Sequence, residues 1–141
     1  EGIEAPTPSI DLNIQFNYDT AKLTIEAKAQ LDELAAAFNA PELSLSKFLI
    51  VGHTDAKGTA GYNQGLSLDR AVRVANYLSG IRQISVKRMA VEGRGETELL
   101  DAQNPHNSKN RRVQIINITP KLKPELIAPS DNDSGMTAIT D

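Results

Sequence analysis

Between Phe48 and Leu78 the chain runs from four consecutive apolar residues, Phe48-Leu49-Ile50-Val51, through a glycine-rich stretch and into an amphipathic helix. An apolar run this short, without polar alternation, suits a strand buried on both faces or central in a sheet. Gly52 to Gly65 reads as a turn, after which Ser67 serves as an N-cap and Asp69 complements the helix dipole. On a wheel of about 100° per residue, Leu68, Ala71, Val74, Ala75 and Leu78 fall together, while Asp69, Arg70, Arg73 and Asn76 share the opposite side, with Arg70 near its border. Gly80 ends the helix. Strand, turn and helix make a short crossover that carries Asp55 at the strand's end and Arg70 in the helix's first turns.

The flanking segments supply the remaining elements. Ile10, Leu12, Ile14 and Phe16 alternate with polar residues and predict a half-buried strand over 10–16. Thr24 caps a helix with the apolar series Ala27, Leu31, Leu34, Ala35 and Phe38, and Pro41 lies beyond its end. Ile84 to Lys87 makes a short turn, Met89 to Val91 a strand closing at Gly93, and Glu96 to Asn110 a polar loop containing Pro105. Val113, Ile115, Ile116 and Ile118 form the last strand. The order is β-α-β-α-β-β, an α+β chain. Residues 1–9, with Pro6 and Pro8, read as a linker, 10–119 as one domain, and 120–141 as a flexible tail.

Composition removes several classes of function. The formal net charge of −3 supplies no basic field for nucleic acid. With no cysteine there is no disulfide, thiolate nucleophile or Cys-ligated metal, and the redox compartment is left open. No apolar run approaches the roughly 20 residues that span a bilayer. Glu1 follows neither an initiator Met nor a signal-like segment, so the chain reads as an excised or processed fragment. His53 and His106 lack the spacing of a metal pair, and the glycines fit neither GxxxxGK[ST] nor GxGxxG, so no metal or cofactor is expected.

Asp55 and Arg70 are the candidate binding groups. A carboxylate and a guanidinium brought together by a short crossover either pair with each other or share a zwitterionic ligand, one partner for each charge. The structural alternatives are an Asp that bonds its own turn and an Arg on a solvated face. Asn63 offers an amide donor and acceptor, and Gly58, Gly61 and Gly65 either let backbone approach a ligand or simply turn the chain. His53 with Asp55 as orienter would be a general base, but no Ser or Cys elbow accompanies them. Arg111 and Arg112 open the last strand, where alternation sends one of them toward a pocket or leaves both to blunt an edge. Arg94, between two glycines, has a structural reading.

Taken together, GHTDAKGTAGYNQGLSLDRAVRVANYL, GRGE and NRRVQI closely resemble the OmpA-like peptidoglycan-binding domain of Gram-negative envelopes, over Ile10 to Ile118. Asn17-Tyr18-Asp19 is similar to the family's aromatic-Asp turn after the first strand. The resemblance implies a two-layer sandwich, with a mixed four-stranded sheet packed on helices. It also implies non-covalent anchoring to the cell wall through the D-centre of meso-diaminopimelate in a stem peptide, without turnover. Asp55 would receive the ammonium and Arg70 the carboxylate, with Asn63 and backbone near Thr20 and Ala21 adding hydrogen bonds. Leu66 and Arg111 would form the wall, while Thr54 and His53 would position the turn. The expected partner is peptidoglycan, not nucleic acid. The expected setting is periplasmic, in a domain soluble in itself but attached to a membrane-anchored N-terminal region of an outer-membrane or envelope protein. Two alternatives stay open on the residues alone: a scaffold in which Arg70, Arg73 and Arg111 meet an acidic partner, and a cell-wall hydrolase using His53 and Asp55.

Overall fold

The computed structural model describes residues 12–118, so the linker and tail expectations lie outside the described residues. Its main elements are β1 (Leu12–Gln15), α1 (Ile25–Phe38), β2 (Phe48–Gly52), α2 (Ala60–Asn76), β3 (Met89–Gly93) and β4 (Arg112–Asn117). The sheet order is β1-β4-β2-β3. β4 runs antiparallel to both β1 and β2, while β2 and β3, joined through α2, are parallel. This is the expected α+β order with a mixed four-stranded sheet.

Strand alternation decides which side the helices cover. Ile14 pairs with Val113, and Ile50 with Ile115, and these join Phe48 in one buried cluster with Ala27, Leu31, Leu34, Ala35 and Phe38 of α1 and Ala71, Val74 and Leu78 of α2. All five apolar positions expected of α1 are buried, and the Thr24 hydroxyl accepts from Ala27 N–H as its N-cap. The Phe38 and Phe48 rings stack at 3.9 Å, and the Arg88 guanidinium lies over both while donating to the Phe38 and Leu43 carbonyls. A cation is thereby kept at the core's edge by carbonyl acceptors.

α2 departs from the sequence expectation at its start. The helix begins at Ala60, where the Thr59 hydroxyl accepts from Tyr62 N–H, so the cap is Thr59 and not Ser67. Gly61 and Gly65 made this stretch resemble a turn, yet both sit within the helix with nothing close to their Cα hydrogens. Ser67 is instead fully buried in mid-helix, accepting from Gly95 N–H at 2.8 Å. The inward stripe of α2 comprises Asn63, Ser67, Arg70, Ala71, Val74 and Leu78, whereas Leu68, expected inside, is 41% exposed. A hydropathy wheel cannot anticipate an inner face that is polar at one end. At the other end the α-helix gives way after Asn76 to a wider turn over Tyr77–Ile81. Tyr77 and Arg82 there both donate to Asp32 of α1.

Two register-paired glycines set how closely α2 approaches the sheet. A Cβ on Gly52 would lie 1.7 Å from the Ser67 carbonyl oxygen, and one on Gly93 would lie 2.6 Å from Leu68 N. Helix backbone therefore rests directly on sheet backbone at the end of β2. On the other side of the sheet, His53 Nε2 lies 3.3 Å from Gln114 Oε1, and His53 has no exposed surface. Burial and the nearby Arg112 charge lower its pKa from 6.5 to about 4.

Gly52→Ala costs about 3 kcal/mol or more in urea unfolding, because backbone on both sides must move, whereas Gly65→Ala in open space gains roughly 0.5–1 kcal/mol of helix propensity. Replacing Thr24 by Ala removes about 1 kcal/mol by the same measurement. Because native His53 stays neutral between pH 6.5 and about 4 while the unfolded chain binds a proton there, its contribution is full above 6.5 and is lost as pH falls through this window. His53→Gln, compared with the wild type by unfolding at each pH, shows a shallower loss.

Candidate functional site

A cavity of about 400 Å³ opens at the end of the sheet where the strand connections converge. The turn after β1 contributes Tyr18 and Asp19, and the loop after β2 contributes Thr54, Asp55, Lys57 and Gly58. The first turns of α2 add Thr59, Tyr62, Asn63, Leu66 and Arg70, and Arg111 enters from the residue before β4. Six of the expected site residues, Thr54, Asp55, Asn63, Leu66, Arg70 and Arg111, thus line one cavity.

Arg70 is fully buried and tied to three backbone carbonyls from two segments. Its Nε donates to the Thr20 carbonyl at 2.8 Å, Nη1 to the His53 carbonyl at 3.0 Å and Nη2 to the Asn17 carbonyl at 3.0 Å. The alternative of a solvated face does not hold for Arg70; it turns inward where Gly52 lets the helix settle onto the strand end. A guanidinium has five N–H donors, and these three bonds leave two. Among the described residues no carboxylate stands within ion-pair distance of it. Burial first, and the Arg111 charge second, lower its pKa to about 10, which still leaves it charged at neutral pH.

Asp55 is also buried, but it pairs with Arg111, not with Arg70. Its Oδ2 lies 3.3 Å from Arg111 Nη1, while Oδ1 accepts from Lys57 N–H at 3.0 Å. The turn-forming reading of Asp55 and its position in a pocket therefore hold together. Arg111 is fixed from the other side by donating to the Phe16 carbonyl. Asn110, buried just before it, holds the preceding loop by donating to the carbonyls of Asp101, Asn104 and Pro105. The strand alternation sends Arg112 elsewhere, to Asn13 and to the Glu98 carbonyl. Arg94 pairs with Glu92 and Glu98, as a structural residue does.

The Asn63 amide staples the loop after β2. Nδ2 lies 2.8 Å from the Lys57 carbonyl, 2.8 Å from Glu96 Oε1 and 3.3 Å from the Asp55 carbonyl. Gly58, with φ of 86°, adopts a left-handed turn that side chains disfavour. Thr20 and Ala21 fall outside the cavity lining: the Thr20 carbonyl is occupied by Arg70, and its hydroxyl accepts from Lys22 N–H. His53 is also outside the lining, with its carbonyl on Arg70 and its ring on Gln114, so it makes no pair with Asp55.

Sequence reasoning did not single out Lys57, Thr59 or Tyr62, and took Tyr18 and Asp19 only as part of a turn. Tyr62 donates a short hydrogen bond to Asp19, which raises the phenol's pKa, and Asp19 holds a left-handed φ of 56°. The Lys57 ammonium sits 4.9 Å from the centre of the Tyr18 ring. These two contacts join opposite rims of the cavity. Starting the helix at Thr59 would have placed Tyr62 and Leu66 one turn apart on the side that carries Arg70.

The fold has relatives. Residues 15–112 match the family model described as the OmpA family. Outer membrane protein A of Shigella flexneri is 29% identical over 129 residues, covering 86% of this chain and 37% of the relative, so the chain spans well under half of that protein's length. Among solved structures, the peptidoglycan-associated lipoprotein of Burkholderia pseudomallei superposes with a TM-score of 0.66 at 24% identity, covering 74% of this chain and 88% of its own. The cell wall anchor of the T6SS from Pseudomonas aeruginosa gives 0.63 at 26% identity, covering 84% and 87%. With the matched residues extending from β1 to the start of β4 and including every wall of the cavity, the chain belongs to the OmpA family.

Proposed function

We propose that this domain binds peptidoglycan non-covalently and tethers an envelope protein to the cell wall, holding the D-centre of meso-diaminopimelate in the cavity between Asp55 and Arg70. The observation that carries this reading is the buried Arg70 guanidinium, fixed by three carbonyls, with two N–H groups to spare and no carboxylate partner among the described residues. Such a group accepts an anion of fixed geometry, and the Asp55 carboxylate nearby accepts an ammonium. A carbon bearing both charges satisfies the two at once. The names of two structural relatives, a peptidoglycan-associated lipoprotein and a cell wall anchor, support the same partner.

The arrangement favours holding over turnover. His53, the candidate base, lies outside the cavity, and its pKa of about 4 leaves it neutral and poorly basic. Arg70 lines the cavity at its buried end, and the ligand carboxylate meets it there, beneath the exposed rim residues Tyr18 and Tyr62. The setting we assign is the periplasm, with the domain attached to a membrane-anchored region of an outer-membrane or envelope protein.

Calorimetric titration with a meso-diaminopimelate tripeptide tests the reading. The wild type binds, and Asp55→Asn, which keeps the shape and the Lys57 N–H acceptor, loses the ammonium contact. A lysine-type stem peptide, lacking the carboxylate for Arg70, binds about ten- to a hundredfold more weakly, as expected for losing one charge-assisted hydrogen-bonded contact. Equal affinity for the two peptides would defeat the zwitterion model, and release of soluble fragments from cell-wall sacculi would revive the hydrolase. Arg70→Ala abolishes binding as well, but it also lowers stability by about 3 kcal/mol or more, because buried carbonyls lose their donor. Asp55→Asn, which keeps the Lys57 N–H acceptor but gives up the Arg111 ion pair, is the milder of the two, and a circular dichroism melt checks its fold before titration.

A further inference from the structure

The cavity carries one more cation than a zwitterion can use. Three cationic side chains line it, Lys57, Arg70 and Arg111, against two carboxylates, Asp19 and Asp55. Arg111 is matched by Asp55, and Asp19 accepts from the Tyr62 hydroxyl. A further carboxylate bonded to a lining side chain, Glu96, sits outside the wall with an oxygen on the Asn63 amide. A ligand head group of one ammonium and one carboxylate adds no net charge, which leaves the excess cation unmatched.

Lys57 is placed to use it. The residue is exposed, and its backbone is fixed on both sides: its N–H donates to Asp55 Oδ1 and its carbonyl accepts from Asn63. Its ammonium rests over the Tyr18 ring on the facing rim, 4.9 Å from the ring centre, with no carboxylate within ion-pair distance among the described residues. An aromatic face holds a cation at the mouth without neutralising it, so the full charge stays available to an entering anion.

We propose that Lys57 and the Tyr18 ring that positions it form a second anionic subsite, and that the domain selects stem peptides carrying a further free carboxylate besides the one held by Arg70. This rests on the peptidoglycan reading of the same cavity. Two carboxylates of a diaminopimelate tripeptide fit the requirement, the α-carboxylate of the γ-linked glutamyl residue and the terminal carboxylate at the L-centre of diaminopimelate. Amidation of either removes the charge and keeps the shape.

The test is calorimetric titration of the wild type and Lys57→Gln with three tripeptides: both carboxylates free, the glutamyl one amidated, and the terminal one amidated. Lys57→Gln weakens binding of the free peptide about fivefold, the upper range for an exposed ion pair, and the effect shrinks with added salt. Amidation at the carboxylate that Lys57 meets weakens wild-type binding by a similar factor but leaves the affinity of Lys57→Gln unchanged, which identifies the group. Tyr18→Leu reduces the same discrimination. If the wild type binds all three peptides equally and Lys57→Gln matches it, while Asp55→Asn still loses binding, the second subsite is wrong and the tether stands. If the folded wild type binds none of them, both readings fall.

Discussion

The Arg70 guanidinium is the interaction on which the site depends. Among the described residues it receives no carboxylate, and it donates instead to carbonyls from the turn after β1, at Asn17 and Thr20, and from the end of β2, at His53. These are connection segments whose carbonyls have no ladder partner to satisfy them, and one charged fork supplies donors to all three. The cation is in turn kept in a buried place by oriented carbonyl dipoles, with its pKa lowered but still well above neutrality. In the proposed site the structural clamp and the ligand anchor are the same side chain. Any ligand that uses the two remaining donors inherits a group already ordered by folding.

That position is reachable only because backbone packs on backbone below it. Gly52 and Gly93, paired across β2 and β3, leave no side chain between the sheet and the Ser67 turn of α2. The Ser67 hydroxyl then takes up Gly95 N–H, tying the loop after β3 to the same helix turn. One turn further along α2, Arg70 is delivered to the strand end at hydrogen-bonding distance from His53. The glycines act through the room they leave for a close approach, and neither has the left-handed backbone that would give glycine a conformational role.

How much of this can be read in the sequence depends on whether a residue obeys a hydropathy period. α1 is legible because Thr24 and the Ala27, Leu31, Leu34, Ala35, Phe38 series all follow one rule, and β2 because an apolar run fits only a covered strand. The first two turns of α2 are hidden by Gly61 and Gly65, which carry turn propensity but meet nothing in the fold. With the start misplaced, Ser67 is mistaken for a cap, Asn63 is left in the turn, and Arg70 falls on the polar side near its border, so the inward polar stripe these three form goes unseen. Asp55 and Arg70 emerge from the crossover geometry, but the pairing of Asp55 with Arg111 needs tertiary structure. Arg111 lies 56 positions away, placed by the buried Asn110 that organises the loop before it. Tyr62 and Lys57 escape notice because each acts across the cavity, on Asp19 and Tyr18, and local spacing holds no trace of such contacts.

The separation of Asp55 from Arg70 is what keeps the cavity open. Two opposite charges in one buried recess would collapse onto each other if nothing else competed for them, and a collapsed pair would have to be broken before either could meet a ligand. Here each has a prior engagement that leaves capacity unused. Arg111 engages one oxygen of Asp55 at 3.3 Å and Lys57 N–H the other, while a carboxylate can accept about four hydrogen bonds. The carbonyls hold Arg70 in place without neutralising it. On the proposed reading, a zwitterion entering between them displaces no internal ion pair, and its two charges meet partners whose orientation was settled when the loops closed on Arg70. The proposed affinity for such a head group rests on this division of partners, since a direct Asp55–Arg70 bridge would use the same residues and leave neither charge available.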